Sequence, residues 1–183
     1  MAVKLVKPIN HKKVVKITNQ DFEAKMRELR VNSDIAVAVS GGPDSLALMH
    51  LSNRYALNNN INLTVLSIDH GIRAESSKEI VWLKKVAKKN KINFYSTKLK
   101  KKINSSNTLS KARTLRYEAL SKYCDKKKIK FLLTAHHLDD EIENFLMRLV
   151  RGSGIKGLSS LKVKSRYKNT KLILVRPLLE YSK

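Results

Sequence analysis

The chain has 183 residues, with Lys+Arg 38 against Asp+Glu 15 and a net charge of +23, so it suits one domain that buries roughly 70% of its unfolded surface and attracts polyanions, nucleic acid first. Gly 6, Pro 3 and Cys 1 exclude collagenous and disulfide-stapled classes. No apolar run reaches the roughly 20 residues that span a bilayer, and the start, MAVKLVKPINHKK, lacks the apolar stretch of a signal peptide, so a reducing, cytoplasmic setting without a membrane is expected.

In chain order, residues 1–16 read as a basic arm and residues 18–30 as a helix, together a leading segment 1–30 ahead of a domain spanning 31–183. Short β-branched runs then alternate with segments of helical period, the signature of an α/β fold with a parallel sheet. Strands are expected near Ile35–Val39, Leu63–Ile68, Ile92–Tyr95, Phe131–Thr134 and Leu172–Val175, with helices after Asp44 and over Glu75–Lys89, Thr108–Lys127 and Asp139–Arg151. Ser76 and Glu79 have the spacing of a capping box. Leu115, Ala119, Leu120, Tyr123 and Cys124 mark the buried face of the third of these helices. Ile142, Phe145, Leu146, Leu149 and Val150 mark that of the fourth. Residues 98–107 read as a loop insert. Part of the lysine excess accompanies an asparagine excess, as in Asn58-Asn59-Asn60, which is the pattern of compositional drift.

The segment that carries chemistry follows the first strand directly: Ser40-Gly41-Gly42-Pro43-Asp44-Ser45. Two glycines let a turn approach a ligand closely, and the helix behind them directs unpaired N–H groups and a positive dipole end at it. Pro43 suits the first helical turn, where its missing N–H costs nothing, and the hydroxyls of Ser40 and Ser45 add donors. A plain strand-to-helix turn capped by Ser or Asp is the simpler explanation of such residues. No Lys follows the glycines, so the pattern is not the phosphate loop of kinase-type enzymes.

Ser40 to Ser45 resembles the pyrophosphate loop of the PP-loop ATP pyrophosphatases. In more detail, AVAVSGGPDSLAL (36–48), DHGIRAES (69–76), ARTLRYEAL (112–120), TAHHLDDEIENFLMRLVRGSGIKGL (134–158) and RPLL (176–179) resemble the tRNA(Ile)-lysidine synthetase family in order and spacing. The resemblance implies a doubly wound five-stranded parallel sheet of order 3-2-1-4-5 with helices on both faces. It also implies a chain cut before further C-terminal tRNA-binding domains. In such a sheet ligands bind beyond the carboxyl ends of the strands where the order reverses, which brings Thr134 to Asp140 beside the Ser-Gly-Gly turn.

ATP is then expected to contact Ser40, Gly41, Gly42, Pro43, Asp44 and Ser45, with Ile68 against the base and Gly152 in a flexible basic turn nearby. Asp44 and Asp139 are the expected Mg²⁺ ligands. Asp44, Arg113, His136 and Asp139 are the expected catalytic set, His136 as a donor to phosphate. Arg113 and Arg116, one helical turn apart, can face one polyanion. The implied reaction ligates free lysine to the wobble cytidine in the anticodon loop of tRNA(Ile), through adenylation of the base and with release of pyrophosphate and AMP. A homodimer is left open. The alternatives are an inactive or truncated basic RNA- or nucleotide-binding module, and another PP-loop tRNA modifier such as a thiolase. The chain's single cysteine argues against the thiolase, which ordinarily needs a pair.

Overall fold

The computed structural model describes residues 17–69, 76–98, 108–150 and 161–182. Chain order is α1 (Asn19–Glu28), β1 (Ile35–Ala38), α2 (Pro43–Asn58), β2 (Leu63–Asp69), α3 (Ser76–Lys89), β3 (Asn93–Lys98), α4 (Thr108–Lys126), β4 (Phe131–Leu133), α5 (Leu138–Val150), β5 (Lys164–Arg166) and β6 (Ile173–Val175). Boundaries differ from the expected ones by a few residues at most. The side chains that would test a capping box at Ser76 lie outside the described ones. A box that was not anticipated starts α1, where the Thr18 hydroxyl accepts from the Asp21 N–H and the Asp21 carboxylate accepts from the Thr18 N–H.

The sheet runs β3-β2-β1-β4-β6-β5. The five expected strands are parallel and adopt the expected order, Val37 aligning with Val65 of β2 and Leu133 of β4. The strand count requires a correction. A sixth, short strand, β5, pairs antiparallel to β6 with Ser165 opposite Leu174. Its sequence, Lys-Ser-Arg, has no apolar alternation to announce it, and it forms because the edge of β6 offers unpaired backbone groups. Arg176 fastens it from within, its N–H donating to Val163 O at 2.8 Å and its Nη1 to Lys162 O at 2.7 Å and Ser165 Oγ at 3.1 Å.

Both faces of the sheet are covered. On one, Phe22 and Met26 of α1, Leu48 and Met49 of α2 and Leu83 of α3 pack on Val37, Val65 and Leu133. On the other, Tyr117, Leu120 and Cys124 of α4 pack on Leu66, Leu132 and Leu174. Burial pushes the Cys124 thiol up to about 12, so it is an inert core group. Ile35, fully buried in the central strand, contacts both neighbouring strands. Ile35→Val is expected to cost about 1 kcal/mol in urea unfolding.

Two expected helix faces are corrected. On α4 the buried stripe is Tyr117, Leu120, Ser121 and Cys124, whereas Leu115, Ala119 and Tyr123 are half-buried. The helix lies toward β3, the last strand on that side, so its outer flank has no further strand to cover. On α5, Ile142, Phe145, Leu146 and Val150 are exposed rather than buried, Val150 by 87%. Helical period identifies an apolar face but not whether another element lies against it. Among the described residues no helix is long and apolar enough to cross a membrane.

Candidate active site

At the carboxyl end of β1 the chain must reverse into α2, and Gly41 makes this possible with φ +89°. A Cβ there would meet nothing within 4 Å, so the requirement is conformational and the space in front of the turn is open. Gly42 caps α2 and Pro43 opens it. Ser45 is buried, and its hydroxyl closes the turn by donating to Gly42 O at 2.8 Å and accepting from the Ser40 N–H at 3.2 Å. Its proton is therefore committed inside the loop, while Ser40 Oγ stands 3.4 Å away.

β1 and β4 are neighbours at the point where the strand order reverses, so the residues after β4 face this turn. A cleft of about 240 Å³ separates them, lined by Ser40, Asp44, Ile68, Arg116, Thr134 and His136 among others. Arg113 borders it through His136. Its Nη2 approaches His136 Nε2 at 3.4 Å, and its Cζ lies 5.9 Å from the centre of the Tyr117 ring. His136 Nδ1 stands 2.9 Å from Thr134 Oγ1. Since guanidinium can only donate, the network assigns the His136 ring proton to Nδ1 and leaves Nε2 as acceptor. His136 thus orients Arg113 in this arrangement.

Burial, then Arg113 and Arg176, push His136 down to about 4, with Asp140 opposing and Arg116 adding to the effect. The ring is neutral at pH 7. An unfolded chain would take up this proton near pH 6.5 and the folded one only near 4. Stability is therefore fully present above pH 6.5 and is lost as pH falls toward 4, by up to about 3 kcal/mol from this residue. His136→Asn is expected to flatten that window, which urea unfolding at pH 7 and pH 5 would measure.

His137 is a site residue that sequence reasoning passed over. Its ring lies 3.7 Å from Asp44 Oδ2, 3.6 Å from Asp139 Oδ2 and 3.5 Å from Asp140 Oδ2. The Asp140 carboxylate also accepts from the His137 N–H at 2.9 Å, tying down the start of α5. One imidazole thereby gathers carboxylates from two helices. A paired His at a strand end just before an acidic helical turn was the available signal. Arg176 was also missed. It is 6% exposed, its Nε has no partner, and it adds a third guanidinium to Arg113 and Arg116 around His136. Gly152 lies outside the described residues, as do residues 1–16 and 70–75, residues 99–107 of the insert, and the basic turn 151–157.

Asp44 and Asp139 offer hard oxygen ligands, which suit Mg²⁺ when phosphate and water complete the shell. Among the described residues no group of three side chains is close enough to hold a metal by itself.

A doubly wound α/β sheet with a glycine turn and a helix N-terminus at its switch point, and no P-loop lysine, is the architecture of a class of nucleotide-binding proteins. The chain belongs to the PP-loop ATP-binding domain family, whose model it matches over residues 10–183. It is 47% identical to the tRNA(Ile)-lysidine synthase of Rickettsia bellii (strain OSU 85-389) over 151 residues, 82% of this chain and 34% of that protein. Similar matches are the tRNA(Ile)-lysidine synthases of Rickettsia typhi (strain ATCC VR-144 / Wilmington), 41% identical over 90% of this chain and 38% of theirs, and of Wolbachia pipientis wMel, 42% identical over 83% and 35%. The chain thus spans about a third of the length of these relatives. Among solved structures, the U34-tRNA thiolase NcsA from Methanococcus maripaludis superposes with a TM-score of 0.72 at 24% identity, covering 88% of this chain and 59% of that one. At that identity the likeness shows the fold alone.

Proposed function

We propose that residues 31–183 form the adenylating unit of a tRNA(Ile)-lysidine synthetase, which ligates lysine to the anticodon wobble cytidine of tRNA(Ile). The observation that carries this reading is the meeting of the Ser40–Ser45 turn and His136 at one cleft, with Arg113 behind His136, in a chain whose relatives bear that enzyme's name.

The turn from Ser40 to Gly42 and the first amides of α2 hold the ATP phosphates, using backbone groups that the helix leaves unpaired. Ile68, at the end of β2, lies against the base. Asp44, with Asp139, would hold Mg²⁺, which would supply charge neutralisation for departing pyrophosphate. Arg113, oriented by His136, faces the α-phosphate as the ring carbonyl oxygen of the cytidine bonds to phosphorus and the bond to pyrophosphate breaks. The ε-amine of lysine then bonds to the activated ring carbon, AMP leaves with the oxygen, and the amine loses a proton. The reacting base must be unstacked in a single-stranded loop, and the +23 charge favours holding the phosphates around it.

Incorporation of labelled lysine into total tRNA, with ATP-pyrophosphate exchange that requires tRNA, tests this reading. Uptake of sulfur in place of lysine would overturn it in favour of a thiolase. The one cysteine, buried and with a raised pKa, makes that outcome unexpected. Failure of both assays would leave a nucleotide-binding module without ligase activity.

A further inference from the structure

On the outer flank of α4, toward the edge strand β3, lies a groove of about 820 Å³, much larger than the cleft over the glycine turn and within the roughly 300–1,000 Å³ of ligand sites. The reaction proposed above does not use it. Its wall is aromatic: the Tyr95 ring of β3 stacks on the Tyr123 ring of α4 with centroids 4.1 Å apart and planes at 27°. Tyr95 remains 39% exposed.

The rim is basic, with Lys98 at the end of β3, Lys122 and Lys126 on α4 and Lys127 directly after it. Among the described residues its one acid, Glu118, is already paired, accepting from Lys168 Nζ at 3.0 Å. Among the described residues none of the four rim lysines has a carboxylate within 4 Å. Lysines alone would have a simpler purpose, since they guard an edge strand against pairing with another chain. That purpose does not call for a half-exposed tyrosine stacked on a second one. Aromatic platforms flanked by cations are the arrangement that takes unpaired bases and their phosphates, because every base has a π-face and every linkage a charge. Electrostatic complementarity therefore selects a polynucleotide over an apolar or acidic-poor partner.

We propose that the β3–α4 groove is a second RNA-contact site, in which an unpaired base stacks on Tyr95 while Lys98, Lys122, Lys126 and Lys127 hold the neighbouring phosphates. The proposal rests on the tRNA-modifying reading, because it places part of the same RNA outside the cleft where the base reacts. α4 links the two places: Arg116 and Tyr117 line the cleft, and Leu115, Glu118 and Lys122 line the groove. RNA seated in the groove thereby sets the position of the segment that enters the cleft.

Binding of a fluorescent tRNA anticodon stem-loop and of an oligouridylate to this chain, followed by anisotropy at several salt concentrations, tests the proposal. Tyr95→Ala is expected to weaken binding about ten- to hundredfold with the salt slope unchanged. Tyr95→Phe should restore it. Tyr95→Leu, which keeps apolar cover on Tyr123, should behave like the alanine variant if stacking matters and guards against a folding defect. The Lys122→Ala/Lys126→Ala pair should lower the slope of log K against log salt by about 1.4 to 1.8. ATP affinity should be unchanged in all of these.

Wild-type RNA binding by Tyr95→Leu would overturn the proposal, as would competition by polyglutamate as effective as that by oligouridylate. The two readings fail separately. Lysine incorporation with RNA binding indifferent to the groove variants would sink the groove and keep the enzyme. Groove-dependent RNA binding with no ATP-pyrophosphate exchange would do the reverse.

Discussion

Asp44→Ala is expected to lower tRNA-dependent ATP-pyrophosphate exchange by about 1,000-fold or more while leaving the fold in place. The carboxylate is in the first turn of α2, lines the cleft, and lies 3.7 Å from His137 Nε2. In the proposed reaction it would hold the cation that neutralises departing pyrophosphate, and stabilisation of that kind is worth several kcal/mol, about three powers of ten in rate. Its contribution to stability is of another order. A carboxylate in a first helical turn gains roughly 0.3–1 kcal/mol from the dipole, and the side chain is 34% exposed. Circular dichroism and urea unfolding should therefore change little. Asp44→Asn separates shape from charge: it is expected to be nearly as inactive as the alanine variant, and exchange at the wild-type rate by either would remove Asp44 from the site.

Arg113→Ala is expected to lower turnover about 100- to 1,000-fold with the fold retained, the range seen when one donor to a developing negative charge is deleted. The geometry supporting this is the placement of its guanidinium between His136 Nε2 and the Tyr117 ring, without a carboxylate ion pair among the described residues. A cation held by a neutral imidazole and a π-face keeps its charge available to an incoming anion. Arg113→Lys should recover only part of the rate, since an ammonium lacks the planar fork. A rise in KM for ATP with kcat unchanged would show that Arg113 only binds the nucleotide and plays no special part in the transition state.

The turn from Ser40 to Ser45 was legible because its chemistry is local: a left-handed backbone needs Gly41, a helix start tolerates Pro43, and both constraints act within six residues. His136 and Arg113 were legible as candidates through the family resemblance of the stretches that contain them. Their relation was not. That His136 is neutral and accepts from Arg113 follows from the burial and the guanidinium groups around it, and those come from α4 and from Arg176 directly after β6, far away in sequence. Arg176 was passed over because it looks ordinary in its own segment and only its burial distinguishes it, while the local signal at His137 gains meaning only from the approach of Asp44.

By itself the sequence determined the alternation of strands and helices, the glycine turn and a charge suited to polyanions, since these depend on residue type and on periods of two or 3.6, whereas the strand order around β1 came from the family resemblance. Tertiary structure alone decided which apolar faces find cover. Ile142, Phe145 and Leu146 have the period of a core face yet are exposed, and Lys164–Arg166 has no strand signal yet pairs. Burial and edge pairing are properties of the neighbour, and a segment's own pattern carries no information about which neighbour folding brings. The same holds at the site, where local spacing placed a glycine turn and packing supplied the arginines and carboxylates around it.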